Sequence, residues 1–411
     1  MRRDTVRGFL ALTLIAVLGS IVGCGGGRSG SAENPPPPAS NVQPITVNAG
    51  PAASLGSNFN SVNVAFTSVT ICVPGSTTKC QTIDGILVDT GSTGFRVLSS
   101  ALTLTLPQQT DSSNNPIAEC LPFVSSTVWG SVRTADLTIT GEAASSLPIQ
   151  VIGDPNFPTI PSACTIFGPP QDDLASFGAN GILGIGVFAQ DCGGGCATSG
   201  ASNPGLYYTC PSTGCVVTTE SLAKQSQNPV ILFAGDNNGS LIMLPSVSAP
   251  EATVSGSLIF GIGTRSNNGL GSATVLTVDP SSGNFSTTFN GQTFTDAGFI
   301  DAGSAAIFFL DSGTTGIPDC ADAPFFYCPP SIIKNLKATN MGTNGANAPV
   351  SFDVDNGDSL LSNVNNSAIP NLGGPFSGDF DWGLPFFFGR TVFTAIEGKN
   401  TPGGTGPYQA Y

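Results

Sequence analysis

Glycine and proline interrupt this chain at about one position in five, which limits what it can fold into. The sequence has 411 residues, including 52 glycines and 32 prolines. Both residues break helices, so long helices are disfavoured. Hydrophobic residues, at 40%, are nevertheless too frequent for a disordered chain. The pattern predicts many short strands joined by turns, and we expect an all-β body with a large core.

The ionisable residues exclude several classes of function. The chain has no histidine, and 13 lysines and arginines stand against 27 aspartates and glutamates. Without histidine there can be no Ser-His-Asp or Cys-His site and no H-E-x-x-H zinc site. The acidic balance argues against nucleic acid as a partner, because sequence-independent binding needs a basic surface. Acid–base chemistry must then fall to carboxylates, or failing these to lysine, tyrosine or thiol.

The N-terminus has the pattern of an export signal. Residues 1–7 are basic, and residues 8–22 are almost wholly apolar and lead to Cys24. This order is typical of a secretory signal peptide, and small residues before a single cysteine resemble the bacterial lipobox, whose cysteine is lipid-modified. We therefore expect a lipoprotein signal peptide at 1–23 and a flexible tether rich in Gly, Ser and Pro at 24–50. An ordinary signal peptide or a retained anchor helix is the alternative.

The cellular location follows from that signal. Lipid on Cys24 would make the membrane a partner of the chain. Gly25 at the second mature position, in place of aspartate, resembles lipoproteins that are sorted to an outer membrane. We expect a lipid-anchored protein of the cell envelope, in the outer membrane of a Gram-negative bacterium.

The cysteines other than Cys24 number ten, an even count that suits an oxidising compartment. Several are close neighbours in the sequence, which favours local disulfides. The expected pairs are Cys72–Cys80, Cys192–Cys196, Cys210–Cys215 and Cys320–Cys328, with Cys120–Cys164 as the pair that remains. A Cys₄ zinc site made by the four cysteines between 192 and 215 is the alternative, and the disulfide interpretation predicts no metal.

Two distant segments repeat one pattern. Residues 86–94 read I-L-V-D-T-G-S-T-G, and residues 308–316 read F-F-L-D-S-G-T-T-G. Each is an apolar run that ends in an aspartate, followed by a Ser/Thr/Gly turn, as expected for a buried strand and the loop after it. A second repeat follows each aspartate: residues 180–186 and 385–389 are apolar runs closed by glycine. The first of these has the spacing G-x-x-G-x-G, which does not match a dinucleotide-binding loop.

On these residues the chain resembles the bilobal pepsin-like aspartic peptidases. Residues 89–92, Asp-Thr-Gly-Ser, match the first catalytic motif of that family, and residues 311–315, Asp-Ser-Gly-Thr-Thr, match the second. Residues 181–184 match the strand that passes behind the first aspartate, and residues 386–389 are similar to the corresponding segment of the second half. Residues 256–261 resemble the stretch that closes the first lobe.

The resemblance implies two β-barrel-like lobes around a central cleft, with Asp89 in an N-terminal lobe at 51–265 and Asp311 in a C-terminal lobe at 266–411. The two aspartates would share a proton and activate a water molecule. The residues implied to support this dyad are Thr90, Gly91, Ser92, Ser312, Gly313 and Thr314. Trp129 and Gly130 are the candidates for the flap over the cleft. The family mechanism needs no cofactor and no metal.

The sequence thus predicts an exported, lipid-anchored aspartic endopeptidase, monomeric, with extended polypeptide as its substrate. The alternative is a non-catalytic envelope lipoprotein of the same fold that binds peptide or another ligand, because one fold hosts many functions. A structural envelope lipoprotein would explain the tether and the cysteines but not the duplicated motif. Other carboxylates, Glu119 among them, are expected as solvated surface charges.

Overall fold

A computed structural model of the protein describes residues 41–124 and 126–411. These residues form 24 strands: β1 Val42–Val47, β2 Ala65–Cys72, β3 Cys80–Asp89, β4 Thr93–Leu98, β5 Ile117–Pro122, β6 Thr127–Ile139, β7 Glu142–Ile152, β8 Gly181–Ile185, β9 Tyr207–Thr209, β10 Val216–Val217, β11 Gly239–Met243, β12 Val254–Phe260, β13 Val275–Thr277, β14 Phe285–Phe289, β15 Gln292–Ile300, β16 Ile307–Leu310, β17 Ile333–Met341, β18 Asn347–Val354, β19 Gly373–Gly374, β20 Phe376–Trp382, β21 Thr391–Ala395, β22 Asn400–Thr401, β23 Gly404–Thr405 and β24 Tyr408–Ala410.

Helices are few and short in the described part of the chain, so the all-β prediction is confirmed. The α-helices are α1 Leu174–Phe177, α2 Gly194–Ala197, α3 Ser312–Thr315 and α4 Gly357–Leu361. Single turns of 3₁₀ helix occur at Pro51–Leu55, Ser57–Phe59, Ser99–Ala101, Thr165–Phe167, Leu222–Lys224, Pro229–Leu232 and Leu384–Phe387. The density of glycine and proline accounts for the absence of longer helices from these residues.

Nearly all strands belong to two sheets. The larger has the order β10-β9-β5-β6-β7-β4-β8-β3-β2-β1-β12-β11-β21-β24-β13. The smaller has the order β18-β17-β14-β15-β20-β16-β19, and β22 pairs with β23 alone. Strands from the end of the chain, β21 and β24, join the larger sheet beside β11, so the last residues of the protein tie its second half to its first.

The same three-strand unit occurs once in each sheet. In the larger sheet β8 runs parallel to β3, with Asp89 opposite Gly184, and antiparallel to β4. In the smaller sheet β20 runs parallel to β15, with Ile300 opposite Trp382, and antiparallel to β16. In both units a loop joins the first strand to the next strand of the chain, and the third strand lies between these two in the sheet.

The prediction for residues 181–184 is confirmed, because β8 lies directly beside the strand that carries Asp89. The prediction for residues 386–389 is wrong. The corresponding strand is β20, and residues Leu384–Phe387 form a 3₁₀ turn after it. Pro385 cannot donate a backbone hydrogen bond to a ladder, which is consistent with a turn there and not a central strand.

Aromatic side chains pack around β20 and fix its position. Trp382 and Phe380 are fully buried on this strand, and their ring centroids are 6.0 Å apart. Phe352 of β18 meets Trp382 edge to face at 5.4 Å. Edge-to-face and offset contacts of this kind add to the free energy of burial. One face of the strand beside β15 is therefore held by aromatic core residues.

The five predicted disulfides are all confirmed. Their Cα–Cα distances range from 4.0 Å for Cys72–Cys80 and Cys210–Cys215 to 5.7 Å for Cys120–Cys164 and Cys192–Cys196, with 4.7 Å for Cys320–Cys328. Cys72 and Cys80 are direct register partners on β2 and β3. The four sulfurs of the alternative zinc set lie in two separate disulfides, so they are not thiolate ligands.

The predicted signal peptide, most of the tether, Cys24 and its lipid lie outside the described residues. Within 41–124 and 126–411, no helix is long and apolar enough to span a bilayer.

Candidate active site

Asp89 is the last residue of β3, at the point where the strand enters the loop. Its side chain is buried, with 4% exposure. The N–H of Gly91 donates to its Oδ1 at 2.7 Å, and the hydroxyl of Ser92 donates to its Oδ2. The predicted roles of Gly91 and Ser92 are thus matched by contacts to the carboxyl group.

The carboxyl that faces Asp89 is that of Asp301, which follows β15 in the smaller sheet. The Gly91 N–H that donates to Asp89 also lies 3.1 Å from Asp301 Oδ1, so the inner oxygens of the two carboxyls converge on one donor. Asp301 has its own matching contacts: Gly303 N–H donates to Oδ1 at 2.7 Å, and Ser304 Oγ lies 2.9 Å from Oδ2. Residues 301–304, Asp-Ala-Gly-Ser, are therefore the second copy of the motif at 89–92.

The prediction that Asp311 is the second member of the dyad is wrong. Asp311 caps helix α3, accepting from the Thr314 N–H at 2.8 Å, and it also contacts Ser377. It follows β16, the strand that leads away from the Asp301 loop, and a strand of four residues spans roughly 13 Å. Hydrogen bonding by the Thr314 N–H lowers the pKa of Asp311, as for an ordinary capping carboxylate.

The supporting residues predicted around Asp311 are displaced with it. Ser312, Gly313 and Thr314 belong to helix α3, and the Ser312 hydroxyl bonds Asp319, not a residue of the other loop. Thr90 does bond across to the second loop. Its hydroxyl donates to Ile300 O at 3.1 Å and accepts from the Ala302 N–H at 2.9 Å. Ala302 has no hydroxyl to return that contact.

Two glycines allow the carboxyls to approach so closely. A Cβ at Gly91 would lie 2.5 Å from Asp301 Cγ, and a Cβ at Gly303 would lie 2.7 Å from Asp89 Oδ1. Any side chain at either position would push the opposing carboxyl away. Glycine is required at both positions for space, because the glycine of each loop lies against the carboxyl of the other loop.

The electrostatics of the pair favour a shared proton. Burial raises the pKa of Asp301 well above its ordinary value, and the adjacent charge of Asp89 raises it further. Two carboxyls in such close contact cannot comfortably both ionise, because like charges repel strongly where water is excluded. The pair therefore holds one proton over a wide range of pH, as a property of both groups together.

The dyad forms the floor of a cavity of about 420 Å³. Apolar side chains provide much of its wall, among them Phe123, Val124, Phe188 and Phe299. Phe123 and Val124 belong to the turn of the β5–β6 hairpin, which is closed by a hydrogen bond from Phe123 N–H to Ser126 O at 2.7 Å. Val124 is 81% exposed, so this hairpin presents a projecting apolar tip at the cavity.

The prediction that Trp129 and Gly130 form the flap is wrong in position. Both lie within β6, the second strand of the hairpin, and neither lines the cavity. Trp129 is 2% exposed, packs edge to face on Tyr208 and donates its indole N–H to Phe157 O at 2.9 Å. Gly130 is required by packing, since a Cβ there would lie 1.8 Å from Val151 O.

A buried cluster of charged residues lies behind one wall of the cavity. Arg96 is fully buried and contacts Glu119 Oε1 at 2.6 Å and Asp191 Oδ2 at 3.1 Å. Glu119 was expected at the surface and is fully buried instead. Burial and then the charge of Glu119 raise the pKa of Asp191 well above its ordinary value. Asp191 also lines the cavity and accepts from the Tyr207 hydroxyl at 2.8 Å.

A larger groove, of about 730 Å³, lies elsewhere on the surface, beside the Cys210–Cys215 disulfide. Arg133 is the charged residue in its lining, and it is already paired with Asp154 at 2.7 Å. The groove contains neither member of the dyad. The volume of a cavity therefore does not identify the candidate active site. The two facing carboxyls identify it in the smaller cavity.

The arrangement can carry out general acid–base chemistry. Two carboxyls with one proton between them can take a proton from water and give one to a polarised carbonyl, with no covalent intermediate. One sequence signal distinguishes Asp301 from Asp311: in the first copy an apolar strand, β4, begins directly after the motif. Only a few residues separate residues 301–304 from the apolar run at Ile307–Leu310, whereas Asp311 is followed by a helix and a polar segment.

Comparison with known proteins is consistent with this architecture. Among solved structures, the chain is similar to the crystal structure of aspartic proteinase from Irpex lacteus, with a TM-score of 0.50 and 13% sequence identity over 90% of this chain and 96% of that one. At this identity the match shows a pepsin-like fold. A comparison with curated protein sequences finds no match. The family match extends over residues 37–411, and the chain belongs to the family described as Protein of unknown function (DUF3443).

Proposed function

We propose that this protein is an exported, lipid-anchored aspartic endopeptidase. The carboxyls of Asp89 and Asp301 would activate a water molecule held between them, and this water would hydrolyse a peptide bond of the substrate. The observation that carries the proposal is the shared Gly91 N–H, 2.7 Å from one carboxyl and 3.1 Å from the other. Two carboxyl oxygens that contact the same N–H lie side by side, where they can share a proton and hold one water molecule between them.

Hydrolysis would proceed by general acid–base catalysis. The ionised member of the pair takes a proton from the water between the carboxyls, and the water oxygen attacks the carbonyl carbon of the substrate. The protonated member donates to the carbonyl oxygen, which gives a neutral tetrahedral intermediate. One member of the dyad then donates its proton to the amide nitrogen, and the other takes a proton from a hydroxyl of the intermediate. The C–N bond breaks to give a carboxylic acid and an amine, and the dyad again holds one proton.

The shape of the site favours an extended peptide with apolar side chains near the cut bond. Phe123 and Val124 at the hairpin tip and Phe188 and Phe299 in the walls would contact those side chains. An extended strand in a cleft can add backbone hydrogen bonds to the protein edge that it meets.

The anchor completes the proposal. Lipid on Cys24 and the Gly/Ser/Pro-rich tether would hold the folded body near the envelope membrane, where a monomer could reach unfolded or extended segments of other proteins. The net charge of −14 for the whole chain would keep that body soluble beside the membrane.

The proposal is tested by incubating the purified full-length protein with an unfolded reporter protein across about pH 3–8. Cleavage should occur, and reactions in ¹⁸O-water should place one labelled oxygen in each new C-terminal carboxyl. Asp89→Asn, prepared in parallel, is the matched control for contaminating peptidases. Absence of cleavage at every pH, with retained binding of the reporter, would contradict the proposal and support a non-catalytic binding protein.

A further inference from the structure

A third carboxyl lies next to the dyad, and the mechanism above does not use it. Asp381 is on β20, the strand that runs beside β15, and it is 5% exposed. Its Oδ2 lies 2.5 Å from Ser304 Oγ, the same hydroxyl that lies 2.9 Å from Asp301 Oδ2. Ser304 thus stands between the outer oxygen of a dyad member and a buried carboxyl.

The number of protons on Ser304 limits what these contacts can be. A serine hydroxyl carries one hydrogen, so it can donate to one carboxyl at a time. The other contact is favourable only when the second carboxyl is protonated and donates to Ser304 Oγ. The contact with Asp381 is the shorter, so we assign the Ser304 hydrogen to Asp381 and the remaining proton to Asp301.

The surroundings of Asp381 make its charge felt by the dyad. Its register partners are Phe299 on β15 and Phe308 on β16, both apolar, and its Oδ1 has no hydrogen-bond partner among the described residues. Little in these surroundings therefore screens a charge on Asp381. The charge of Asp89 acts on Asp381, and the charge of Asp381 acts on Asp301, whereas Asp296 of β15 acts on Asp379.

We propose that Asp381 is a positioning residue of the active site, which acts on Asp301 through Ser304 and keeps the dyad protonated to higher pH than two carboxyls alone would. The proposal rests on the proposed peptidase function for its effect on activity, but not for its effect on the proton itself.

The directions of the pKa shifts agree with this geometry. Burial raises the pKa of Asp381 well above its ordinary value, although the Ser304 hydrogen bond opposes this and the charge of Asp89 adds to it. Burial and the charge of Asp89 raise the pKa of Asp301, and the charge of Asp381 is the next cause. The negative charge of Asp381 therefore opposes ionisation of Asp301 and delays the loss of the last dyad proton.

Asp381→Asn tests the proposal with little change in shape. The amide group carries no charge, and its NH₂ can donate to Ser304 Oγ, which would turn the serine hydrogen toward Asp301. Both effects favour ionised Asp301, so the basic limb of the pH–activity profile should move down by about one pH unit. Asp379→Asn is the matched control, because it makes the same change two residues earlier on β20 without contacting the dyad. Its basic limb should stay in place.

A titration of ¹³C-labelled aspartate carboxyls by NMR separates this inference from the proposed function. In the wild type, the Asp301 signal should respond at the pH where Asp381 titrates, and this readout needs no variant. Asp301 should then titrate at lower pH in Asp381→Asn but not in Asp379→Asn.

The outcomes are distinct. Coupled titration without any cleavage would support the role of Asp381 and refute the peptidase. Cleavage with an Asp301 signal that ignores Asp381, and an unmoved basic limb in Asp381→Asn, would overturn the role of Asp381 and leave the peptidase intact.

Discussion

The two loops that form the dyad have the same backbone arrangement but differ in their side chains. Each places a glycine N–H on the inner carboxyl oxygen and a serine hydroxyl on the outer one: Gly91 and Ser92 serve Asp89, and Gly303 and Ser304 serve Asp301. The residue after the aspartate is Thr90 in one loop and Ala302 in the other. The two loops therefore share the glycine and serine contacts that hold the carboxyls, but they differ in the residue that follows the aspartate.

A second difference lies on the strands behind the loops. The middle strand of the first unit places Ile182 opposite Leu87, two residues before Asp89. The middle strand of the second unit places Asp381 opposite Phe299, two residues before Asp301. An apolar residue lies behind one carboxyl and an acid behind the other, so the two halves have different electrostatic surroundings. A symmetric backbone can thus place the two carboxyls of an acid–base pair in different environments.

The largest expected effect comes from breaking the pair itself. Asp89→Asn removes a group that must exchange a proton in each turnover, so kcat/KM for reporter cleavage should fall by at least about 10³-fold. The double variant Asp89→Asn/Asp301→Asn should lose little more than either single variant, because the two carboxyls act as one unit. Steady-state kinetics on the three proteins measure this directly. Losses that multiply would show two independently acting carboxylates.

A smaller effect is expected where the loops are joined. Thr90→Val keeps the shape of the side chain but removes the hydroxyl that bonds Ile300 O and Ala302 N–H. An unpaired buried N–H costs about 1–3 kcal/mol, so the free energy of unfolding should fall by that amount in urea denaturation. Ile300 O would remain paired with the Gln409 amide at 3.0 Å, which limits the loss.

Thr90→Ser is the control for this join, since it retains the hydroxyl, and it should stay close to the wild type in stability. Equal stability of the valine and serine variants would mean that the hydroxyl does not tie the loops together. Activity should fall less than in Asp89→Asn, because Thr90 positions the loops and transfers no proton.

Much of this architecture could be predicted from the sequence. The frequency of glycine and proline and the short apolar runs indicated an all-β chain. The neighbouring cysteines indicated four of the disulfides and left Cys120–Cys164 as the fifth. Asp89 and the strand at 181–184 follow from a local pattern that is strong by itself. Such features depend on residues close together in the chain, for which local sequence is a sufficient guide.

The partner of Asp89 could not be found from the local pattern, because two aspartates satisfy it. Asp301 and Asp311 are each preceded by apolar residues and followed by a small residue, glycine and a hydroxyl. What separates them is the strand that must follow the loop, which is β16 for Asp301. Asp311 lies at the far end of that same strand, so the apolar run before it leads away from the site.

The flap and the buried cluster were missed for a different reason. Trp129 and Gly130 have the expected composition, but alternation along β6 turns the tryptophan toward Tyr208 and away from the cavity. The sequence alone indicates a surface charge at Glu119, because its buried partner, Arg96, is 23 positions away in the sequence. In both cases the location of the side chain depends on how strands pair in the sheet.

Asp301, and not Asp311, is the partner of Asp89 in the dyad, and two matched variants test this assignment directly. Asp301→Asn and Asp311→Asn make the same change ten positions apart, and cleavage of one unfolded reporter by both proteins at the optimal pH of the wild type separates them. Asp301→Asn should lose nearly all turnover. Asp311→Asn should cleave at a rate close to the wild type, because it alters the cap of helix α3 and the contact with Ser377 but no contact of the dyad. Full activity in Asp301→Asn, or its loss in a folded Asp311→Asn, would contradict the assignment of the dyad.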